Sequence, residues 1–594
     1  MSEIRDGIPA SPGIVVGPAY VLHWAMPRVP HVTVAAKQVP EEVRRFHEAR
    51  GWACERIREI QRQTGERLGD VEAQIFEPQL VMLDDPELVQ GTVAYIEENH
   101  LSAARAFELR ILEFNSEWSR SGHPMVMDRL NDLQDVELRV VNRLLGLPDP
   151  GVTLSDRGGD KVIIVARDLT PTITVQLDPE RILGVATDVG TRTSHSAILA
   201  RSLNLPCVVS LGDLSERLQT GDELVLDGRS GRVVIAPTEE DKARFRDRDV
   251  KMREWEQELV LLAHLEAITP DRQPVQLRAN IDLPSEAENA RAHGAQGVGL
   301  YRTEFLVVGR SVPPEEEEQL RAYKRVADAF PHQAVFIRTF DLGGDKFPLF
   351  LHMPQEENPF LGWRGIRVAL DTPELFRPQL RALLRATASG DVRIMLPLVN
   401  EIREIERTRE LLEEETLRLE SEGHAFNPGY KLGIMVETPA AALVAPELAQ
   451  YSDFFSVGTN DLVQYTLAVD RGNSRLAPLY QPFHPAVVRL LRHVAEAGRA
   501  AGIEVSVCGE LAGHPLGVFL LLGLGISALS VGTASLAEIK KVIRSVPASE
   551  ARLVVSEALE LGTAEAVTDA LTRGLAQWLD LSPFEGRWNL SPRP

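Results

Sequence analysis

The stretch 189–203, VGTRTSHSAILARSL, organises the reading of the chain. The apolar segment 182–186 before it reads as a buried strand. Ala197, Ile198, Ala200 and Leu203 after it favour a helix, and Thr193 or Ser194 can cap that helix by accepting first-turn N–H groups. His195 therefore falls at a helix N-terminus on a hydroxyl-rich loop. Backbone N–H groups and the helix dipole stabilise added negative charge there. The same dipole disfavours imidazolium and keeps the ring neutral and nucleophilic. A strand, a loop bearing a candidate phosphate acceptor and a helix point to an α/β unit.

Working outward, 161–166, 207–211, 223–226 and 232–236 also read as strands, with turns at Asp227-Gly228 and Ser230-Gly231. Near the start, 8–22 is a turn entry followed by a short strand. Between them, 40–147 is helical and charged: Val43, Phe46, Ala53, Ile57 and Ile60 recur at helical intervals. Pro78 is expected to break or kink the helical stretch 72–85. Segments 103–118 and 136–145 are amphipathic. After Pro237, Thr238 with Asp241 resembles a capping box and opens a charged helix on the order of 40 Å long, a solvated spacer or a lever.

From 275 to the end the pattern is βα repeated. Candidate strands are 275–281, 297–301, 334–338, 393–399, 431–436, 454–457, 504–507 and 528–531. Eight such units fit a (β/α)₈ barrel, whose active site lies at the carboxyl ends of its strands. Those ends carry Arg302, Arg338 with Lys346 after it, Glu437, Asn460-Asp461 with Arg471 following, and Cys508. Arginine forks match phosphate or carboxylate. Glu437 and Asp461 are hard oxygen ligands suited to Mg²⁺, which is held by one or two carboxylates plus substrate oxygens. Cys508 can give a proton to an enolate. The pocket expects a small phosphate-bearing anion.

The 594 residues are ordinary in hydrophobic content (44%), but the net charge is −22. Such a chain is a poor nucleic-acid binder and a plausible partner for a basic protein. Three scattered cysteines, Cys54, Cys207 and Cys508, form no disulfide framework. With no apolar signal region at the start, they predict a cytoplasmic protein. The uncharged run 515–534 is interrupted by glycines and reads as a helix followed by a buried strand rather than a membrane span.

Long strings then identify a family resemblance: ASPGI, EAQIFE, MLDDPEL, TRTSHSAILARSLNLP, GLYRTEFL, IRTFDLGGDK, NPFLGWRGIR, GIMVETP, FFSVGTNDLVQYTLAVDRGN and VCGELAG. Together they resemble the Enzyme I family of the bacterial phosphoenolpyruvate:sugar phosphotransferase system along essentially the whole chain. The resemblance implies a phosphohistidine domain (1–22 and 149–236), an inserted helical domain that docks the phosphocarrier HPr (23–148), a linker helix (237–267) and a phosphoenolpyruvate-binding barrel (268–594). It implies phosphorylation of His195 on Nε2. Phosphoenolpyruvate would be held by Arg302, Arg338, Asn460, Asp461 and Arg471, with Lys346 and Arg364 as secondary contacts. Mg²⁺ would sit on Glu437 and Asp461, Cys508 would protonate the enolate, and the chain would form a homodimer through the barrel. Thr191, Pro78, Ile173 and His514 depart from the family pattern. Pyruvate-phosphate dikinases and phosphoenolpyruvate synthases share the histidine loop and barrel but need an ATP-binding domain. The first 150 residues look too helical for one and carry no glycine-rich nucleotide loop. A non-catalytic scaffold would have lost site residues, and none is missing.

Overall fold

The computed structural model describes residues 2–22, 26–68, 73–119, 124–148, 161–169, 173, 181–191, 194–203, 205–308, 310–343, 348, 350–351, 356–471, 473 and 475–584. For 67–68, 117–119, 124–131 and 195–196 the backbone alone is described. Two compact units divide between Arg253 and Glu254.

The first unit contains an eight-stranded mixed sheet. Its strands are β1 (Glu3–Asp6), β2 (Ile8–Ser11), β3 (Ile14–Leu22), β4 (Val162–Ala166), β5 (Ile182–Thr187), β6 (Cys207–Val209), β7 (Glu223–Asp227) and β8 (Arg232–Ile235). They lie in the order β1-β8-β7-β3-β4-β5-β6-β2. β3 to β6 run parallel, which buries both faces of β4. Ile164 and Ala166 face one apolar cluster while Ile163 and Val165 face the other, as a period of two requires. The segment expected as a turn plus one strand holds both β2 and β3.

The helical part of this unit comprises Val39–Leu68, Glu77–Leu83, Pro86–Asn99, Ala103–Ser119 and Pro124–Leu145. Phe46, Ile57, Phe76, Ile96, Phe107, Ile111 and Val140 form its core. Pro78 neither kinks nor interrupts an α-helix. A 3₁₀ turn, Gln74–Phe76, precedes it, and Pro78 stands in the first turn of the next helix, where a missing N–H costs nothing.

The helix Glu239–Leu262 opens on a reciprocal cap. Asp241 N donates to Thr238 Oγ1 at 3.1 Å, and Thr238 N donates to the Asp241 carboxylate at 3.1 Å. Along its length only Phe245 and Met252 are buried, so most of its surface is solvated.

The second unit holds a closed parallel barrel of β9 (Gln276–Ile281), β10 (Val298–Arg302), β11 (Val335–Arg338), β12 (Val392–Leu396), β13 (Lys431–Val436), β14 (Phe454–Val457), β15 (Glu504–Val507) and β16 (Ala528–Gly532). β16 pairs with β9 from Ala528↔Gln276 to Gly532↔Asn280 and closes the ring. The fold is the multidomain α/β architecture with a C-terminal (β/α)₈ barrel that the sequence pattern predicts. Inside, Phe336 and Phe454 meet edge to face at 4.7 Å, and Arg278 and Arg393 lie over the Phe336 ring. Both arginines reach Glu504, so a salt-bridged layer plugs the amino-terminal end. Polar chemistry is left to the carboxyl end.

The run 515–534 resolves into the helix Pro515–Gly523 and β16, and among the described residues no helix is long and apolar enough to cross a membrane. His514 caps that helix: its Nδ1 accepts from Leu516 N at 3.1 Å while the ring packs edge-on to Phe483. Burial pushes its pKa down to about 4. The folded state therefore binds fewer protons than the unfolded chain between about 6.5 and about 4, and stability falls as pH drops through that window. Lowering the pH from 7 to 5 should cost the barrel about 2 kcal/mol through this group. Asn at 514 keeps a capping acceptor without titrating. Urea denaturation at both pH values should show His514→Asn losing that much less stability than the parent; equal losses would remove His514 as the cause.

Candidate functional site

In the first unit, the chain leaves β5, turns through Asp188–Thr191 and enters the helix His195–Ser202. His195 is thus the first helical residue, with Ser194 at the cap position. Ser194 does not cap through its side chain as the sequence suggests; its hydroxyl donates to the Thr191 carbonyl at 2.9 Å and tightens the loop instead. Thr193 lies outside the described residues. Asp188, buried at the end of the strand, accepts from Ser215 N at 3.0 Å and from its hydroxyl, tying down the loop base. Ala197 and Ala200 pack on the sheet, whereas Leu199 belongs to the core of the helical part. One short helix is therefore held from two sides. Ile173, one of the departures from the expected family pattern, is buried in the apolar cluster on the sheet.

In the second unit, the carboxyl ends of the barrel strands surround a cavity of about 70 Å³. Arg302, Arg338, Arg364, Glu437, Asn460, Asp461, Arg471 and Cys508 all line it. Lys346 lies outside the described residues.

Two arginines are buried at its floor. Arg338 donates to Glu304 at 2.9 Å and pairs with Asp341 at 3.1 Å. Arg364 forms a two-pronged bond with Asp341 at 3.0 and 2.9 Å and also donates to Asp461 at 2.9 Å. Its remaining Nη1 donates to Tyr465 Oη at 2.9 Å, and Tyr465 donates in turn to the Phe360 carbonyl at 2.6 Å. Arg302 and Arg471 stand at the rim: Arg302 donates to Asp282 at 2.7 Å, and Arg471 approaches Asp461 no closer than 4.0 Å. Asn460 and Glu510 bind each other through Glu510 N to Asn460 Oδ1 at 2.8 Å and Asn460 Nδ2 to Glu510 Oε1 at 3.2 Å.

Glu437 is fully buried, and its Oε1 accepts from Leu398 N at 2.7 Å. Leu398 holds a positive φ of 56° to aim that N–H, a strain of the kind that gathers at functional sites. A Cβ on Gly458 would sit 2.7 Å from Glu437 Oε2, so only glycine lets the carboxylate lie against β14. Burial, with Asp461 and Asp341 facing it, pushes Glu437 up to about 8. Four buried carboxylates (Glu304, Asp341, Glu437, Asp461) gather around Arg338 and Arg364, and Asp461 Oδ1 has no hydrogen-bond partner among the described residues. A divalent cation on Glu437 and Asp461 would relieve the repulsion between these two carboxylates and give the orphaned oxygen a partner, so the donor set fits Mg²⁺, with substrate oxygens to complete the shell. Cys508 is buried, and burial pushes its thiol up, so it stays protonated at neutral pH.

Comparison with known proteins bears on all three parts of the chain. The family profile "PEP-utilising enzyme, PEP-binding domain" matches residues 256–548, the N-terminal profile matches 6–129 and the mobile-domain profile matches 158–231. A phosphoenolpyruvate-protein phosphotransferase of Staphylococcus carnosus is 40% identical over 96% of this chain and 98% of its own. The chain belongs to the phosphoenolpyruvate-protein phosphotransferase family. The Haemophilus influenzae relative of the same name is likewise 40% identical over 96% of this chain and 99% of its own. A solution structure of an Enzyme I protein aligns over 42% of this chain and 99% of its own at 34% identity, with a TM-score of 0.35.

Among phosphotransferases of this family, the roles of Glu304, Asp341, Asp282 and Tyr465 are the part that sequence reasoning misses here. Glu304 and Asp341 stand in the same strand-end strings as the arginines, and an acidic residue beside a buried arginine was the available signal. Tyr465 sits one helical turn beyond Asp461, and nothing short of the fold brings its hydroxyl to Arg364. Tyr465→Phe removes one neutral acceptor from a buried guanidinium, worth about 1 kcal/mol. Steady-state phosphoenolpyruvate turnover should lose about fivefold in kcat/KM with unchanged circular dichroism; full activity would show that Arg364 holds its position without the hydroxyl.

Proposed function

We propose that the chain transfers the phosphoryl group of phosphoenolpyruvate to His195 Nε2 and then to a histidine of the phosphocarrier HPr, releasing pyruvate, as the first step of a sugar-uptake phosphorelay. The observation that carries the reading is the convergence of Arg302, Arg338, Arg364, Glu437, Asn460, Asp461, Arg471 and Cys508 on one cavity in a family member. The domain assignment that goes with it is a phosphohistidine domain (1–22 and 149–236), an HPr-binding helical domain (23–148), a linker helix (237–267) and a substrate barrel (268–594).

The chemistry follows from the residues. The rim arginines Arg302 and Arg471 meet the phosphate and carboxylate of the substrate with bidentate forks. The buried arginines Arg338 and Arg364 are fixed by their carboxylate partners, so guanidinium donors are already in place at the floor for the transferring phosphoryl group. Asn460, fixed by Glu510, keeps its amide in place at the edge. Mg²⁺, held by Glu437 and Asp461, would neutralise charge on the phosphoryl oxygens. His195 Nε2 forms a bond to phosphorus as the bridging P–O bond breaks, and the electron pair leaves on enolpyruvate. Cys508 gives its proton to the enolate carbon, yielding pyruvate. The phosphoimidazole then meets a helix N-terminus whose dipole favours its charge. A homodimer through the barrel and a cytoplasmic location complete the reading.

Two variants test it. With ³²P-labelled phosphoenolpyruvate and Mg²⁺, His195→Ala should take up no label and pass none to HPr. Label on that variant would refute the assignment. Cys508→Ala should slow pyruvate formation about a hundredfold, the range of general-acid contributions, and an unchanged rate would leave Cys508 a packing residue.

A further inference from the structure

A cavity in the second unit lies at the other end of the barrel from Cys508 and Glu437. It has a volume of about 710 Å³, against about 70 Å³ at the carboxyl end. Its position follows from its lining: Gln273 and Pro274 precede β9, Ser527 precedes β16, and Arg499 lies in the last turn of the helix Pro485–Ala501 that leads to β15. All three are amino-terminal approaches to strands, whereas the phosphoenolpyruvate-site residues stand at carboxyl ends.

Two helices wall it. On Pro485–Ala501, Arg492, Glu496 and Arg499 recur at intervals of four and three and share one face. On Ala548–Ala558, Arg552, Val555 and Ser556 face the same space, and Leu559 follows them. The turn Gly523–Gly525 forms the floor. Gly525 has a φ of +78°, and a Cβ there would come within 2.6 Å of Arg499 Nη2. Glycine thus lets the guanidinium settle on the turn, where it donates to the Leu524 carbonyl at 3.0 Å.

The charges in this cleft are unbalanced. Arg492 approaches Glu496 no closer than 3.9 Å. Arg552 makes no hydrogen bond or ion pair among the described residues. Arg499 spends one N–H on a carbonyl, which leaves its charge uncompensated. Three guanidiniums therefore face one carboxylate in a chain of net charge −22. On the helix Pro373–Ala386, by contrast, Arg377, Arg381 and Arg385 each contact two or more glutamates. Apolar surface from Leu524, Val555 and Leu559 lines the same cavity.

We propose that this cleft is a second ligand site, for a small organic anion carrying a diphosphate group, separate from the phosphoenolpyruvate site. The three guanidiniums take the phosphates, and the apolar wall takes the remainder of the molecule. A cavity of this size accommodates a ligand of nucleotide or sugar-bisphosphate dimensions, and guanidinium forks match phosphate oxygens in pairs. A lone phosphate would leave much of the charge and all of the apolar wall unused. The site involves no residue of the transfer chemistry, so the proposal stands independently of the roles assigned to His195 and Cys508.

The test uses the full-length chain and calorimetric titration with inorganic phosphate, inorganic pyrophosphate and ADP. Pyrophosphate and ADP should bind, and inorganic phosphate should bind more weakly than either. Arg492 and Arg552 are exposed and make no structural hydrogen bond, so Arg492→Gln/Arg552→Gln should fold normally. That double variant should bind pyrophosphate and ADP at least tenfold more weakly, with phosphoenolpyruvate turnover in their absence unchanged. Glu496→Gln, which removes the opposing carboxylate, should bind both about threefold more tightly. The proposal is overturned if the double variant binds like the parent, if Arg302→Gln abolishes the same binding event and so moves it to the barrel mouth, or if the parent binds neither probe with a dissociation constant below about 1 mM.

Discussion

The structure turns on four carboxylates buried around two arginines at the mouth of the barrel. Arg338 and Arg364 are buried at the mouth of the barrel among Glu304, Asp341, Glu437 and Asp461. Taking ions out of water is costly, and their mutual attraction offsets that cost only where geometry is good. Here both arginines contact Asp341, Arg338 also pairs with Glu304, and Arg364 bridges on to Asp461. Yet Asp461 Oδ1 has no hydrogen-bond partner among the described residues. Glu437 bears the strain, held far above the ordinary carboxylate range by burial and its acidic neighbours. Such a floor is poor as a folding solution and good as a binding one, because a cation and an anionic substrate complete it together. The unusual backbone nearby follows from the same demand, since Leu398 takes a positive φ and Gly458 forgoes a side chain to seat that one carboxylate.

Much of this was legible in the residues. Parallel strands with both faces buried read as short apolar runs, and each barrel strand falls within two or three residues of its expected bounds. The polar residues at strand ends needed only the barrel's rule that such ends converge. What escaped was the pairing. Nothing in the local string ranks Arg338 and Arg364 as floor residues and Arg302 and Arg471 as rim residues; that depends on how far each guanidinium reaches past neighbouring strands. Pro78 shows a different gap. A proline in a helical pattern reads as a break, but whether it interrupts a helix or begins one rests on the preceding residues, and here the 3₁₀ turn Gln74–Phe76 made room for it. Ser194 occupies the cap position with a hydroxyl turned to the Thr191 carbonyl, a choice between two local bonds that propensity does not settle.

The His195 helix obeys a different constraint. Eight residues are too few to be stable alone, so its position is dictated by what it packs on. Ala197 and Ala200 are small enough to lie close on the sheet, and Leu199 reaches into the core of the neighbouring helices. The histidine loop, anchored at its base by Asp188 and Ser215, is thereby registered against both layers at once.

Asn280 has a consequence reaching beyond the site. On β9, it donates to the carbonyl of Cys508 at 2.9 Å and to that of Ser530 at 3.3 Å, and it accepts from the Ser530 hydroxyl at 2.7 Å. The seam where the barrel's first strand meets its last is therefore the seam that fixes the backbone behind the thiol. A chain emerging from the ribosome holds β9 some 250 residues before β16 exists to join it. Until that late arrival Asn280 lacks the two Ser530 bonds that hold it beside Cys508. Loop closure over so long a span makes ring formation a slow, all-or-none event. The last seam to close in synthesis is thus the one behind that thiol, and a chain cut before β16 lacks it.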